Sequence, residues 1–523
     1  MIAARTQVAV VGSGFAGALL ARLLAHQGLH VTLIERGQHP RFAIGESSTP
    51  LASLCLERLA ARYGQPDLHH LAAHGRWLKH LPELHRGLKR GFTFYRHRPG
   101  KAYANDAENS ARLLVAASPN DRVADTHWLR ADVDHHLVRQ AVAAGVDYQD
   151  ATQVTEVEVT ARGARLRLER AGAARTLRAD FLVDATGPGG LLRRALGIPS
   201  RLSRTFTRSF LLYSHFEGAR LFAGVAAEAG TPMPPGPYPE DWAALHHLTD
   251  DGWMYVLRYD DGRVSAGLLA TPRGARRLHL DSRDAERSWR ALLARYPSIG
   301  AQFADARPLF PVRYAGRVQH RLARAADRRW ALLPHSFAFV DPLFSTGIAW
   351  GLLAVERLAD AFADAKARGR TAPSAAALQR YEALLHAEAS QIDTLVAGAY
   401  AAMPDFALFA AHSMLYFGVV SFAETRQRLV GGNAWDAFLA ADDPQVVAAY
   451  RKAYRWLARA SRRDGPAFAD WVAQTIAPRN VAGLADPARK NLYPVDLDVL
   501  VERAPLLGLT AEEVRRALPR LRR

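Results

Sequence analysis

Gln7-Val8-Ala9-Val10-Val11-Gly12-Ser13-Gly14-Phe15-Ala16-Gly17-Ala18, close to the first residue, is the stretch on which the fold turns. Gln7 to Val11 is a short β-branched run and reads as a strand. Gly12 to Gly17 is a glycine turn with GxGxxG spacing, and apolar residues at helical spacing run from Ala18 to Gln27. Gly28-Leu29 ends that helix, and His30 to Ile34 reads as a second strand that stops at Glu35. A GxGxxG alone carries little information. This one follows a strand, opens a helix and precedes an acidic residue at the next strand end, which is the context of a dinucleotide site. The first glycine makes the tight turn, the second lets backbone approach a pyrophosphate, and the third lets helix and strand close up. The helix N-terminus offers free N–H groups and a partial positive charge to the phosphates. Gly12, Ser13, Gly14, Ala16 and Gly17 are therefore the expected cofactor contacts, with Glu35 on the ribose hydroxyls. The alternative is an ordinary βαβ unit without a ligand.

Working outward, 523 residues allow about three lobes at roughly 100–200 residues each. Hydrophobic residues at 49% and charged residues at 23% exclude a disordered or fibrous chain. A single cysteine, Cys55, excludes an intramolecular disulfide and suits a reducing cytoplasm. Met1 to Gln7 contains no apolar signal core, so a soluble cytoplasmic protein is expected. Lys plus Arg exceed Asp plus Glu by 68 to 51, giving a net charge of +17. The arginines are scattered and form no basic block, which speaks against nucleic acid. They read as a solvated surface, or as attraction for an acidic partner. Phe406 to Ala423 approaches the roughly 18 residues of a spanning helix, but His412 and Ser413 interrupt it, and it reads as a buried helix rather than a membrane span. The 20 histidines show no metal-ligand spacing, so no metal is expected.

Further along, Thr126 to Gly145 reads as helix, and Leu182 to Asp184 as a strand running into Ala185-Thr186-Gly187-Pro188-Gly189-Gly190. Phe210–Phe216, Met254–Tyr259 and Val264–Leu269 read as strands, and Met233 to Pro237 as a loop. Trp330 to Leu333 is another short strand. Gly347 to Ala365 is helical, and a helix-rich region fills most of 374–523. There is no internal repeat and no second GxGxxG after a strand. The fold class is α/β, α+β overall, with one Rossmann unit.

The Gly12 motif, Glu35, Gly45-Glu46-Ser47-Ser48-Thr49-Pro50, Asp184-Ala185-Thr186-Gly187 and Asp341-Pro342-Leu343-Phe344-Ser345-Thr346-Gly347 occur in one order over roughly the first 370 residues. In this the chain resembles flavin-dependent monooxygenases of the aromatic-hydroxylase type, and within them the flavin-dependent halogenases. The resemblance implies FAD, used as FADH2, with its adenosine end at the first turn and its isoalloxazine near Gly347. It adds Glu46, Ser47, Arg130, Asp341, Gly347 and Ile348 to the cofactor contacts. Arg130 pairs equally well with Asp134 at i+4 spacing. The helix start at Ser345-Thr346-Gly347 presents unpaired N–H groups and a positive dipole end, suited to reduced flavin or to a halide. The resemblance puts chloride or bromide on Thr346 and Gly347; a helix cap with no anion is the other reading.

Gly87-Leu88-Lys89-Arg90-Gly91-Phe92-Thr93-Phe94 follows the Glu46 segment and leads into an alternating aromatic strand. There the resemblance implies that Lys89 is catalytic, holding hypochlorous acid or trapping its chlorine as a chloramine. Lys89 could equally be surface charge beside Arg86 and Arg90, and Lys79 lies nearby. Three departures stand out. Trp253-Met254-Tyr255-Val256 keeps only the first aromatic of the Trp-x-Trp-x-Ile-Pro segment of tryptophan halogenases. Phe344 replaces their glutamate, as in enzymes acting on phenols and pyrroles. Pro334-His335-Ser336 stands where hydroxylases have Gly-Asp-Ala, so His335 either bonds the flavin or is structural. Phe406, Phe409, Tyr416, Phe417 and Phe422 line an aromatic-substrate pocket or simply form core.

The reading implied is a halogenase of a phenol- or pyrrole-like substrate in secondary metabolism, served by a separate flavin reductase, with substrate free or on an acidic carrier protein. The alternatives are an aromatic hydroxylase, a geranylgeranyl-reductase-like oxidoreductase and a non-enzymatic flavoprotein. The expected organisation is a discontinuous FAD-binding domain (1–90, 125–200 and 310–370), an inserted β-sheet substrate domain (91–124 and 201–309) and a helical C-terminal region (371–523).

Overall fold

The computed structural model describes residues 4–459 and 464–521. Its first sheet has a parallel core in the order Trp330–Leu332, Ala173–Asp184, Ala4–Val11, Val31–Ile34 and Asp147–Gln149. Val11 aligns with Ile34 on one side and with Asp184 on the other. The chain thus leaves Ala4–Val11 in one direction first and returns to its other side later. That reversal makes the Gly12 end of the strand a topological switch point, where a doubly wound sheet opens a crevice for ligand. An antiparallel ribbon, Gln153–Thr160 with Gly163–Arg170, extends this sheet.

A second sheet of nine strands centres on Phe210–Glu217, Val264–Ala270, Gly252–Arg258, Ala244–Thr249, Gly91–Arg96 and Arg112–Ala116. Its outer face buries a separate aromatic core around Phe216, Trp289 and Phe303. The short strand Leu492–Tyr493, from the C-terminal region, pairs in parallel with Leu114 and Val115 at the edge of this sheet. Arg86–Lys89 pairs with Asp125–Trp128 as a small ribbon in which Lys89 lies opposite Asp125. The first of those strands continues into Gly91–Arg96, so the ribbon sits at the seam of the two sheets.

This ribbon corrects one expectation. Thr126 to Trp128 is strand, and the helix begins at Arg130 and ends at Ala143. The segment carries polar and charged residues at helical spacing, but its backbone is claimed by the neighbouring strands: Ser48 N donates to Thr126 O and Trp128 N to Glu46 O.

The helix Thr346–Ala367 lies against Phe15–His26 and Pro50–Arg62. Arg357, on it, forms a fully buried ion pair of 2.7 Å with Glu388 of the helix Ala375–Ala402, and Trp350 Nε1 donates to the same carboxylate at 2.8 Å. Phe406–Leu429 is capped by Asp405, whose carboxylate accepts from Ala407 N at 3.0 Å. Among the described residues it is the one helix long and apolar enough to cross a membrane, and 67% of its most apolar window is buried inside the protein. Its apolar faces are core, as read from the interruption at His412 and Ser413: His412 Nε2 bonds Leu395 O and Ser413 Oγ donates to Phe409 O.

Candidate active site

The glycine turn is built to exclude side chains. Gly12 has φ +106°, and a Cβ there would lie 2.4 Å from Ala185 O; a Cβ on Gly17 would lie 2.0 Å from Gly12 O. At Gly14 a Cβ would meet nothing closer than Arg130 Nη2 at 3.5 Å, so the middle glycine faces the crevice. The helix Phe15–His26 that follows has Gly14 at its N-cap, and Asp134 Oδ1 accepts from its first N–H, Phe15 N, at 3.1 Å. The N–H groups that follow Phe15 in this first turn are left for a pyrophosphate. Glu35 closes the turn, accepting from Ser13 N at 3.1 Å, Ser13 Oγ at 3.0 Å and Gly37 N at 3.0 Å, with Arg41 at 3.2 Å. Burial pushes its carboxyl up, but Arg41 and these hydrogen bonds outweigh it and hold the group below the usual range. Ala16 lies in the first turn of the helix.

Arg130 makes the i+4 pair and also reaches the loop before Glu46. It pairs with Asp134 at 2.8 Å and also donates to Ile44 O and Gly45 O at 2.9 and 3.1 Å, beside the Phe15 ring. It therefore clamps the loop before Glu46 to the glycine turn. The Glu46 carboxylate is occupied by protein: His215 Nε2 lies at 2.8 Å from one oxygen, and Ser265 Oγ donates to the other at 2.6 Å. Those partners belong to the second sheet, so Glu46 joins the two sheets. Asp341 is likewise a hub, accepting from Ser209 Oγ at 2.7 Å, Tyr400 OH at 2.9 Å and Leu343 N at 3.2 Å. Burial pushes its carboxyl up to about 6. Trp253 Nε1 donates to Tyr400 OH at 3.0 Å, which adds the remaining tryptophan of the departed motif to this hub.

The loop that Asp341 anchors ends at Ser345, φ +53°, and the helix Thr346–Ala367 starts with no side-chain cap. Ser345 Oγ donates to Ser47 Oγ at 3.1 Å, which brings Ser47 to the start of this second helix. Ile348 is buried one turn in. Buried His335 has no partner for its Nε2, and that atom lies 3.1 Å from where a Cβ on Gly347 would stand. Burial, with Arg130 nearby, pushes its imidazole down to about 4, so it is neutral. An open Gly14, an uncapped helix start at Thr346 and an orphaned ring nitrogen fit an FAD laid from Gly12 to Thr346. An orphaned buried nitrogen calls for a ligand partner.

Lys89 is fully buried and is not surface charge. Its Nζ donates to Ser48 O at 2.6 Å and rests 4.1 Å above the centre of the Phe92 ring. Burial pushes the ammonium down, opposed by the charge of Asp125. Phe92 in turn forms one wall of a cavity of about 150 Å³, with Tyr416, Phe417, Val420, Glu424 and Leu484 among its other walls. Tyr416 stacks on Phe344 at 4.6 Å and donates to Phe344 O at 2.9 Å. Of the aromatic residues singled out in 406–422, Tyr416 and Phe417 line the cavity. Phe406 and Phe409 are core, and Phe422 packs toward the C-terminal helices.

Sequence reading missed Asp125, Glu424 and the cavity walls at Val481 to Leu500. No motif marks them, and only the pairing of Lys89 with Asp125 and of Leu492 with Leu114 brings them in.

Comparison with known proteins agrees with this geometry. Residues 5–222 match the FAD binding domain family. The halogenase PrnC of Pseudomonas fluorescens, named for monodechloroaminopyrrolnitrin, is 29% identical over 78% of this chain and 70% of its own length. Tetracycline 7-halogenase of Kitasatospora aureofaciens is 27% identical over 65% of this chain, which spans only 60% of that relative's length. In fold, a crystal structure of the halogenase PltM superposes with a TM-score of 0.83 at 23% identity, covering 93% of this chain and 99% of that one. In sequence and in fold the chain is therefore similar to flavin-dependent halogenases, and residues 5–222 carry an FAD binding domain.

Proposed function

We propose that this protein halogenates a small electron-rich aromatic ring, phenol- or pyrrole-like, using reduced FAD, dioxygen and chloride or bromide. The observation that carries the reading is Lys89, a dry ammonium held between Ser48 O and the Phe92 face, with Phe92 also a wall of an aromatic-lined cavity. When bound, reduced FAD with dioxygen supplies the oxidant that converts halide to hypohalous acid. Gly12, Ser13, Gly14, Ala16 and Gly17 would hold its adenosine half with Glu35. Arg130, Ser47, Asp341 and Ile348 would shape the loops around the rest, and His335 Nε2 would meet the flavin end. The uncapped N–H groups of Thr346 and Gly347 would hold the halide.

Lys89 donates a hydrogen bond to the hydroxyl oxygen of hypohalous acid and keeps its halogen aimed at the cavity. The carbon–halogen bond forms as the halogen–oxygen bond breaks, and hydroxide leaves with the ring proton as water. A cavity of about 150 Å³ is the size that takes one benzene ring, which favours a single-ring acceptor. PltM, the structural neighbour, has been crystallised with phloroglucinol and FAD. With one strand–GxGxxG–helix unit in the chain, electrons come from a separate flavin reductase. An acidic carrier protein presenting the ring suits the net charge of +17.

Mass spectrometry of reactions with reduced FAD, dioxygen and bromide over a panel of phenols and pyrroles tests this. A bromine isotope doublet in one product is expected; oxygenated product alone would make the protein a hydroxylase. NADPH without a reductase should not bleach the bound flavin. A carrier-loaded substrate should lose its advantage as salt rises, since exposed charges are screened over about 10 Å at 0.1 M.

A further inference from the structure

We propose that Asp125 is the positioning carboxylate of Lys89: from the adjacent strand it holds the buried ammonium in its charged form, so that the lysine can donate to hypohalous acid. The inference rests on the reading of Lys89 given above. Lys89 and Asp125 are register partners in the ribbon Arg86–Lys89 with Asp125–Trp128. Directly opposed residues of an antiparallel pair carry side chains on one face, with Cβ atoms about 5 Å apart. Both are buried, Lys89 completely. Asp125 Oδ1 accepts from Ser53 Oγ at 3.2 Å, and Oδ2 has no hydrogen-bond partner. A buried carboxylate oxygen left without a partner is costly unless a charge nearby compensates it.

The surroundings single out this pair. His127 and His246 face Lys89, and both are kept neutral by burial and by the lysine itself. Glu424, Arg428 and Tyr416 face Asp125 from the helix Phe406–Leu429. Glu424 and Arg428 are bonded to each other, and Arg428 is bonded again to Glu57 at 2.7 Å, so they neutralise one another. Phe344, stacked on Tyr416, brings no charge to the chamber. The carboxylate left to balance Lys89 is therefore Asp125. Burial favours the neutral form of each, and each charge favours the other's. Asp125 also lines a groove of about 810 Å³ with Glu57, Arg76, Glu424 and Arg428, which gives the pair a polar side away from the cavity.

The test is Asp125→Asn in the FAD-loaded enzyme. An opposite charge at this range is worth about 1–3 pKa units. Without it, the Lys89 ammonium loses its proton at lower pH. The alkaline limb of the halogenation pH profile should move down by about one unit or more, while FAD affinity stays as in the wild type. With ¹³Cε-labelled lysine the resonances are few, because the chain has six lysines: 79, 89, 101, 366, 452 and 490. The Lys89 signal should titrate at lower pH in Asp125→Asn than in wild type. An unmoved limb together with an unmoved Lys89 titration overturns the proposal. If Asp125→Asn does not fold, the wild-type enzyme still decides. The Lys89 ¹³Cε and Asp125 ¹³Cγ signals should then inflect over one shared pH range, and separate inflections overturn the pairing. Lys89→Ala separates the two levels: retained halogenation there would sink the reading of Lys89, whatever the titration shows.

Discussion

The glycine turn and the Lys89 chamber are built in different ways. The turn is mostly local: Gly12 to Gly17, Glu35 and Arg41 come from one strand–helix–strand unit and the loop after it, with Asp134 accepting from Phe15 N. The chamber is assembled from Ser48, Lys89, Phe92, Asp125, Tyr416 and Glu424, which topology brings together across more than 370 residues. It keeps polar atoms without partners, Asp125 Oδ2 and His127 Nδ1 among them, and His335 Nε2 lies at the start of the Thr346 helix nearby. The turn keeps the N–H groups that follow Phe15 for a phosphate, and Arg41 Nε there is without a partner too. A site that reacts keeps unspent hydrogen-bonding capacity for the reacting atoms.

The largest effect that separates the two regions is expected from Lys89→Ala. Losing a positioned proton donor costs about 10²–10⁴-fold in rate, so halogenated product should vanish from a standard assay. The turn is untouched, so FAD affinity, flavin reoxidation and peroxide release should continue. Product formation at a near-normal rate would remove Lys89 from the chemistry. Gly14→Ala should act in the reverse sense, and more mildly. Its Cβ enters open crevice rather than backbone, so the fold should survive while FAD affinity drops about tenfold, equivalent to roughly 1.4 kcal/mol. Turnover at saturating FAD should stay near wild type. Unchanged affinity in both Gly14→Ala and Glu35→Ala would dissolve the assignment of the turn.

The difference in construction also explains what the sequence reveals. The turn was legible because its spacing, strand context and acidic terminus are consecutive residues whose purpose follows from backbone geometry alone. Lys89 was legible only through resemblance: in the sequence it stands between two arginines, and burial is a tertiary fact. Asp125 had no signal, because the stretch from Thr126 reads as helix and only pairing with Arg86–Lys89 makes it strand. The resemblance expects Glu46 and Asp341 to contact the cofactor, whereas their carboxylates bond the second sheet and the Tyr400 helix. Such long-range partners leave no periodic trace.

Acid should distinguish the regions with the smallest effect, a loss of stability rather than of activity. Burial pushes His127 and His246 down to about 3 and His335 down to about 4, against 6.5 in the unfolded chain. The unfolded state therefore binds more protons at these sites, and stability is lost as pH falls from about 6.5 toward those values, by up to about 1.4 kcal/mol per pH unit for each histidine. Glu35 loses stability in the same direction but lower on the scale: Arg41 and its hydrogen bonds hold it below the usual carboxylate range, so its contribution persists until pH drops under about 4.5. Between pH 6.5 and 5 the chamber, with two fully buried histidines, should weaken more than the turn, where half-buried His39 is also pushed down. Melting temperature should fall over that interval. Hydrogen exchange, corrected for its intrinsic pH dependence, should rise in the strands 125–128 and 244–249 before it rises in the strand 4–11. Equal loosening of all three strands would mean that the neutral histidines do not set the acid limit, and that the chamber is no more finely poised than the turn.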